Sequence, residues 1–181
     1  MSGAGTNAGR ALPLAWQPAL GTPSQDRSRL HATFLTRLRA AHCSGTALAL
    51  AAESWVRAAR SAPVSLAFGQ MQSEAEEGVH RIEYILSCLG RGARGGTPWI
   101  DGRDLAVPAE ADDTRLLALA RWALMRMSCG TLDLGTLAHA CGEYQAARLL
   151  QMSVDEQLTT ARLLATILPN ATTDLPTWRA Q

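Results

Sequence analysis

The sequence predicts an all-α fold, a four-helix bundle, on three observations. Four long segments repeat apolar residues at a helical three-and-four spacing. The composition leans on Ala and Leu, with few Val, Ile and Tyr and only 5% aromatic residues, a balance that favours helix over sheet. Two junctions between the segments are tight and one is long, a loop pattern that suits a bundle. At 181 residues the chain can form one domain with a full core, and 47% hydrophobic against 18% charged residues is too apolar for disorder.

The first helix is predicted from about Asp26 to Ser61, with Leu30, Phe34, Leu38, Ala41, Gly45, Leu48, Ala52, Val56 and Ala59 as its apolar stripe. Ser61-Ala62-Pro63 ends it, because proline disfavours helix in the residue before it. Pro63 suits the first turn of the second helix, where its missing N–H costs nothing. That helix is predicted from Pro63 to Leu89, with Leu66, Met71, Ala75, Val79, Ile82, Leu86 and Leu89 on its inner side and Gly90 as the cap. A Gly/Pro-rich connection of about twenty residues follows, long enough to expect a crossover over one end of the bundle. Within it, Trp99 and Ile100 read either as a plug of that end or as a lid.

Asp112 or Asp113 is a good N-cap for the third helix, predicted from Thr114 to Cys141, and Gly142 breaks it. The fourth is predicted from Glu143 to Leu168, with Ala147, Leu150, Val154, Leu158, Ala161, Ala165 and Leu168 inward. The domain is thus expected over residues 25–169, between an N-terminal arm (1–24) and a C-terminal tail (170–181). The arm is broken by Pro13, Pro18 and Pro23, so it reads as neither a signal peptide nor a membrane span.

A formal net charge of +1 gives no electrostatic case for nucleic acid or an anionic membrane. Cys43, Cys88, Cys129 and Cys141 are far apart and form no CxxC pair, so free, buried thiols in a reducing cytoplasm are expected. No phosphate-binding glycine loop, Ser/His/Asp set or Cys/His nucleophile is visible.

Three stretches resemble the YciF-type bacterial stress proteins. SEAEEGVHRIEYILSCLG (73–90) is similar to that family's second helix, GTL (135–137) to a spot in its third, and ARLLQMSVDEQLTTARLLATIL to its last. The resemblance covers about Leu30 to Leu168. It implies a ferritin-like antiparallel four-helix bundle, usually dimeric, whose core can hold two metal ions between carboxylates and histidines.

Helical geometry tests that implication, since each residue turns the side chain by about 100°. Gly45 stands in the turn where the family carries a ligand Glu, and Gly78 where it often has His or Gln. Ser128, Cys129 and Gly130 replace its His-Tyr-Glu, and Gln157 and Ala161 take its inward acidic positions. The Glu-x-x-His match at Glu77 and His80 aims about 140–160° away from the stripe, so these two, with Arg81 and Glu83, read as a solvated face. Glu156 is expected to point outward, at about 150°, and Asp133 nearly opposite the core. Glu53 and His42 lie on the flank of the first helix, His42 reading as solvent-facing or capping. Glu74, about 80° off the stripe, is the one expected remnant of a metal site.

One ligand is too few for a transition-metal cage. The expectation is therefore a non-enzymatic bundle without catalytic residues or cofactor, acting through association, with a stress role implied only by the resemblance. The rivals are a di-iron protein or oxidase with shifted ligands such as Glu74, His42 and His139, and a module binding an apolar small molecule in the core. All three meet at the cross-section of Gly45, Gly78, Thr131 and Gln157. The third helix is greasy on two sides: Leu116, Ala120, Leu124, Met127, Thr131 and Leu134 face one way, Trp122, Met125, Cys129 and Leu132 the other. A second apolar face is usually buried too. The expectation is a homodimer through Trp122, Met125, Cys129 and Leu132, the competing cover being the arm's Leu14, Trp16 and Leu20.

Overall fold

The computed structural model describes residues 23–108 and 110–167, so most of the arm (1–22, with Leu14, Trp16 and Leu20) and the tail (170–181) fall outside them. Four helices follow in order: α1 (Pro23–Ala58), α2 (Ala62–Cys88), α3 (Asp113–Cys141) and α4 (Tyr144–Ile167), with a 3-10 turn at Gly102–Leu105 before α3. The stripes close on one another as their spacing requires. Phe34, Leu38, Ala41, Leu48 and Ala52 of α1 meet Met71, Ile82 and Leu86 of α2, and the inward face of α3 is buried from Leu116 to Leu134. Leu66 is a correction: it is 77% exposed, and Val64, Ala67 and Phe68 are buried in its place. Leu66 and Met71 are five residues apart, about 140° around the helix, so they could not share a face.

The junctions show why the helices stop where they do. α1 ends three residues earlier than expected, because the N–H groups of Arg60 and Ser61 donate to the Asp113 carboxylate at 2.7 and 2.9 Å. Asp112 is the N-cap of α3, its Oδ1 accepting the Arg115 N–H at 2.8 Å. Gly142, at φ +84°, closes α3 in a left-handed conformation that a side chain would strain.

The same contacts fix the topology. α3 starts beside the α1–α2 junction and ends near the start of α1, where Arg37 reaches Asp133 at 3.8 Å and His31 lies 3.9 Å from Glu143. α3 therefore runs parallel to α2, and α4 parallel to α1. The connection between α2 and α3 must cover the whole length of the bundle, and it does so along the flank between α1 and α3.

It climbs α1 residue by residue. Arg39 donates to the Gly92 carbonyl at 3.0 Å, and Trp99 N–H donates to Ser44 Oγ at 2.7 Å. Higher up, the Trp55 indole N–H donates to the Leu105 carbonyl at 3.0 Å. At Gly96 the connection touches the α1 backbone: a Cβ there would lie 2.4–2.6 Å from Arg39 and Ala40 main-chain atoms. The expected crossover over one end is thus corrected, and so are both readings of Trp99. Its ring lies on the flank, where a Cβ on Gly130 of α3 would come within 2.5 Å of it.

Candidate functional site

The four positions Gly45, Gly78, Thr131 and Gln157 do share one level of the bundle. They line a small interior cavity of ≈ 30 Å³ with Glu74, Ser153 and Glu156 as its other polar neighbours. Gly45 lets α1 and α2 approach closely, since a Cβ would sit 2.9 Å from Val79 Cγ2. Thr131 donates to the Met127 carbonyl at 2.8 Å, a bond inside its own helix. The buried Oε1 of Gln157 has no hydrogen-bond partner.

Glu74 reaches the α2–α4 seam. Its Oε2 accepts the Thr160 hydroxyl at 2.5 Å and its Oε1 accepts the Gln70 amide at 2.9 Å. Two turns along α2, Arg81 makes the contact that the sequence did not disclose. Its Nη1 and Nη2 donate to the two oxygens of Glu156 at 2.5 and 2.7 Å, and Nη1 also donates to Ser153 Oγ at 3.2 Å. Arg81 is corrected from a solvated position, its side chain being only 13% exposed, and Glu156 from an outward one, being 34% exposed. The Glu156 hydrogen bonds raise the Arg81 pKa above its ordinary value, against the opposing effect of burial.

Side chains on a helix lean toward its N-terminus, so Arg81 lies over the turn that holds Gly78. A Cβ at Gly78 would have only Ser153 Oγ nearby, at 3.9 Å.

The other sequence candidates scatter. Glu77 and His80 are exposed as expected. His42 is corrected from a solvent-facing residue: its Nε2 lies 3.0 Å from Glu83 Oε1, while His80 Nδ1 lies 3.2 Å from the other oxygen. The bonds to His42 first, then to His80, hold the Glu83 carboxyl below its ordinary value. His139 packs edge-on against Tyr144 at 4.9 Å. Glu53 bonds Arg57 on the surface at 2.6 Å. Ser128 is buried and bonds the Met125 carbonyl, Cys129 points outward, and Gly130 lies under Trp99. The thiols are less buried than expected: Cys43 and Cys141 are half-buried, Cys88 and Cys129 exposed.

Among the described residues, no three His, Cys, Asp or Glu groups are placed to hold a metal ion. Glu74, His42 and His139 lie on different faces, so the shifted-ligand set does not converge. Among the described residues, the donor set of a di-metal centre is not brought together. Of the two carboxylates on the cavity, one has both oxygens on a guanidinium and the other has both in hydrogen bonds. The cavity has room for water but not for an apolar molecule of benzene size, which needs about 150 Å³.

The outer side of α3 is a second candidate. Met125 and Leu132 are 45% and 51% exposed, with Cys129 exposed between them and Trp122 half-buried beyond. Beside Leu132 an open groove of ≈ 550 Å³ runs between α3 and α4, floored by the small residues Gly135, Ala140 and Ala147.

Two solved structures superpose on this arrangement. Dps from Thermosynechococcus elongatus does so with a TM-score of 0.66 at 15% identity, over 84% of this chain and 99% of that one. YcfI from Rhodopseudomonas palustris does so with a TM-score of 0.68 at 19% identity, over 79% and 97%. The fold is ferritin-like. At these identities the likeness is one of fold. No family model matches the sequence, and no curated protein is significantly similar to it. In this ferritin-like bundle no helix among the described residues is long and apolar enough to cross a membrane.

Proposed function

We propose that this ferritin-like bundle is a non-catalytic structural protein of the cytoplasm that acts by associating with a second copy of itself. The observation that carries the reading is the exposed apolar stripe on α3, whose inner face is already fully used by the core. A monomer gains nothing from leaving Met125 and Leu132 in water, and each would contribute about 1–2 kcal/mol if covered. The stripe is close to symmetric about its own centre: Met125 and Leu132 flank Cys129 at nearly equal spacing. Two copies of α3 crossed antiparallel would set one Met125 against the other Leu132, as an isologous contact requires. The resemblance to the YciF-type stress proteins supports a role in stress physiology for such a pair.

Light scattering on a sizing column tests the association. The wild type is expected at twice the chain mass, and Leu132→Asp at the chain mass with unchanged helicity. A wild-type monomer at high concentration would overturn the reading. A short thiol-to-thiol cross-linker should capture the pair through Cys129 in a Cys88→Ser background, and fail in Cys129→Ser.

A further inference from the structure

We infer that Trp122 anchors the self-association in the α3–α4 groove of the second copy, with Arg126 of each chain set against Asp133 of the other. The inference rests on the dimer reading above and adds its direction and register.

The outward face of α3 repeats at three and four residues: Trp122, Met125, Cys129, Leu132 and Thr136. These positions fall within an arc of about 80°. They lie on the side of α3 away from its buried residues Leu124, Met127, Thr131 and Leu134. Such a repeat is the seam of two helices packed at about 20°. Its spacing is nearly the same in either direction from Cys129, so an antiparallel copy meets it in register. Met125 then faces Leu132, and Trp122, seven residues before Cys129, faces Thr136, seven after it.

That register brings each indole to a place where the opposite surface is hollow. Gly135, beside Thr136, floors the ≈ 550 Å³ groove together with Ala140 and Ala147. A Cβ on Gly135 would meet nothing nearer than Leu150 Cβ at 3.9 Å, so packing inside the chain does not demand a glycine there. Trp122 is half-buried, one part of it packed on the core and the rest outside it. A large, rigid aromatic side chain entering a pocket is the usual anchor of an interface.

The flank of the seam carries complementary charge. Arg126 and Asp133 are both exposed, three residues before and four after Cys129, and on the same side of the stripe. In the antiparallel register each Arg126 faces the other copy's Asp133, so the attraction occurs twice. A parallel pairing would set like charge on like charge, which disfavours it. Within its own chain Asp133 is loosely engaged, 3.8 Å from Arg37 with its side chain 69% exposed.

Charge reversal tests the register. Arg126→Asp or Asp133→Arg alone makes both contacts repulsive, and each is expected to dimerise at least tenfold more weakly in sedimentation, with unchanged helicity by circular dichroism. Mixed in equal amounts, the two variants make both contacts attractive again. Native mass spectrometry should then find mixed pairs in large excess over like pairs. Trp122→Ala, which removes the anchor, and Gly135→Leu, which fills the groove, should each weaken the pair at least tenfold. A wild-type dimer whose charge variants show no preference for mixed pairs overturns the inference and leaves the dimer standing. Folded Trp122→Ala and Gly135→Leu that pair as tightly as wild type overturn it too. A wild-type monomer overturns both readings.

Discussion

The two open sides of the bundle are closed by opposite chemistry. Between α1 and α3 the closure is made by main chain and aromatic rings: Gly96 against the α1 backbone, Trp99 over Gly130, and Trp55 bonded to Leu105. Between α2 and α4 there is no strap, and charged and hydroxyl groups meet directly, Glu74 on Thr160 and Arg81 on Glu156. The first side fails by overpacking, because nothing in it can move aside. The second fails by leaving a charge alone.

The largest expected effect is on the packed side. Gly96→Ala puts a carbon against main-chain atoms of Arg39 and Ala40 that cannot give way. A loss of about 3 kcal/mol in urea unfolding is expected, and Gly130→Val, which collides with the Trp99 ring, should cost about as much. A loss below 1 kcal/mol in both would mean that the strap is not seated as described.

On the polar side, Arg81→Met is expected to cost about 2 kcal/mol, less than a fully buried pair because Glu156 is a third exposed. Replacing both partners, Arg81→Met with Glu156→Leu, should recover most of that loss. If the double variant is as unstable as the two single losses added together, the pair is not a pair.

Trp55→Phe keeps an aromatic ring but is smaller than the buried indole and removes the N–H that satisfies the buried Leu105 carbonyl. About 1–2 kcal/mol should be lost, with the two-state transition preserved.

The smallest effect is a pH dependence. Burial works to raise the Asp113 carboxyl, but the N–H groups of Arg60 and Ser61, with the Arg60 charge, outweigh it and hold the pKa below its ordinary value. A depressed carboxylate adds stability that is complete above the unfolded pKa of about 3.9 and is lost as pH falls through the lower folded value. Melting temperatures of Asp113→Asn and wild type should therefore differ most at neutral pH and converge below about pH 3. A constant gap down to pH 2 would show that the carboxylate charge is not involved.

The helices were legible because apolar periodicity reports burial directly, as Phe34, Leu38, Leu48 and Leu150 illustrate. The cross-section at Gly45, Gly78, Thr131 and Gln157 was legible for the same reason. Arg81 and Glu156 were not, because a side chain's angle from the stripe does not give its distance from the interior. A bundle helix has two neighbours, so its covered arc is wide, and an arginine is long enough to reach back into the seam from well off the stripe. The strap was illegible for another reason. An irregular segment has no period, so nothing in residues 91–112 says which flank it follows.

The apolar stripe on α3 has a geometric consequence. Cages and filaments grow when each chain carries two different adhesive regions, so that every added copy presents a fresh one. A region that matches only itself is consumed once a pair has formed. The growth of this assembly would end at two copies.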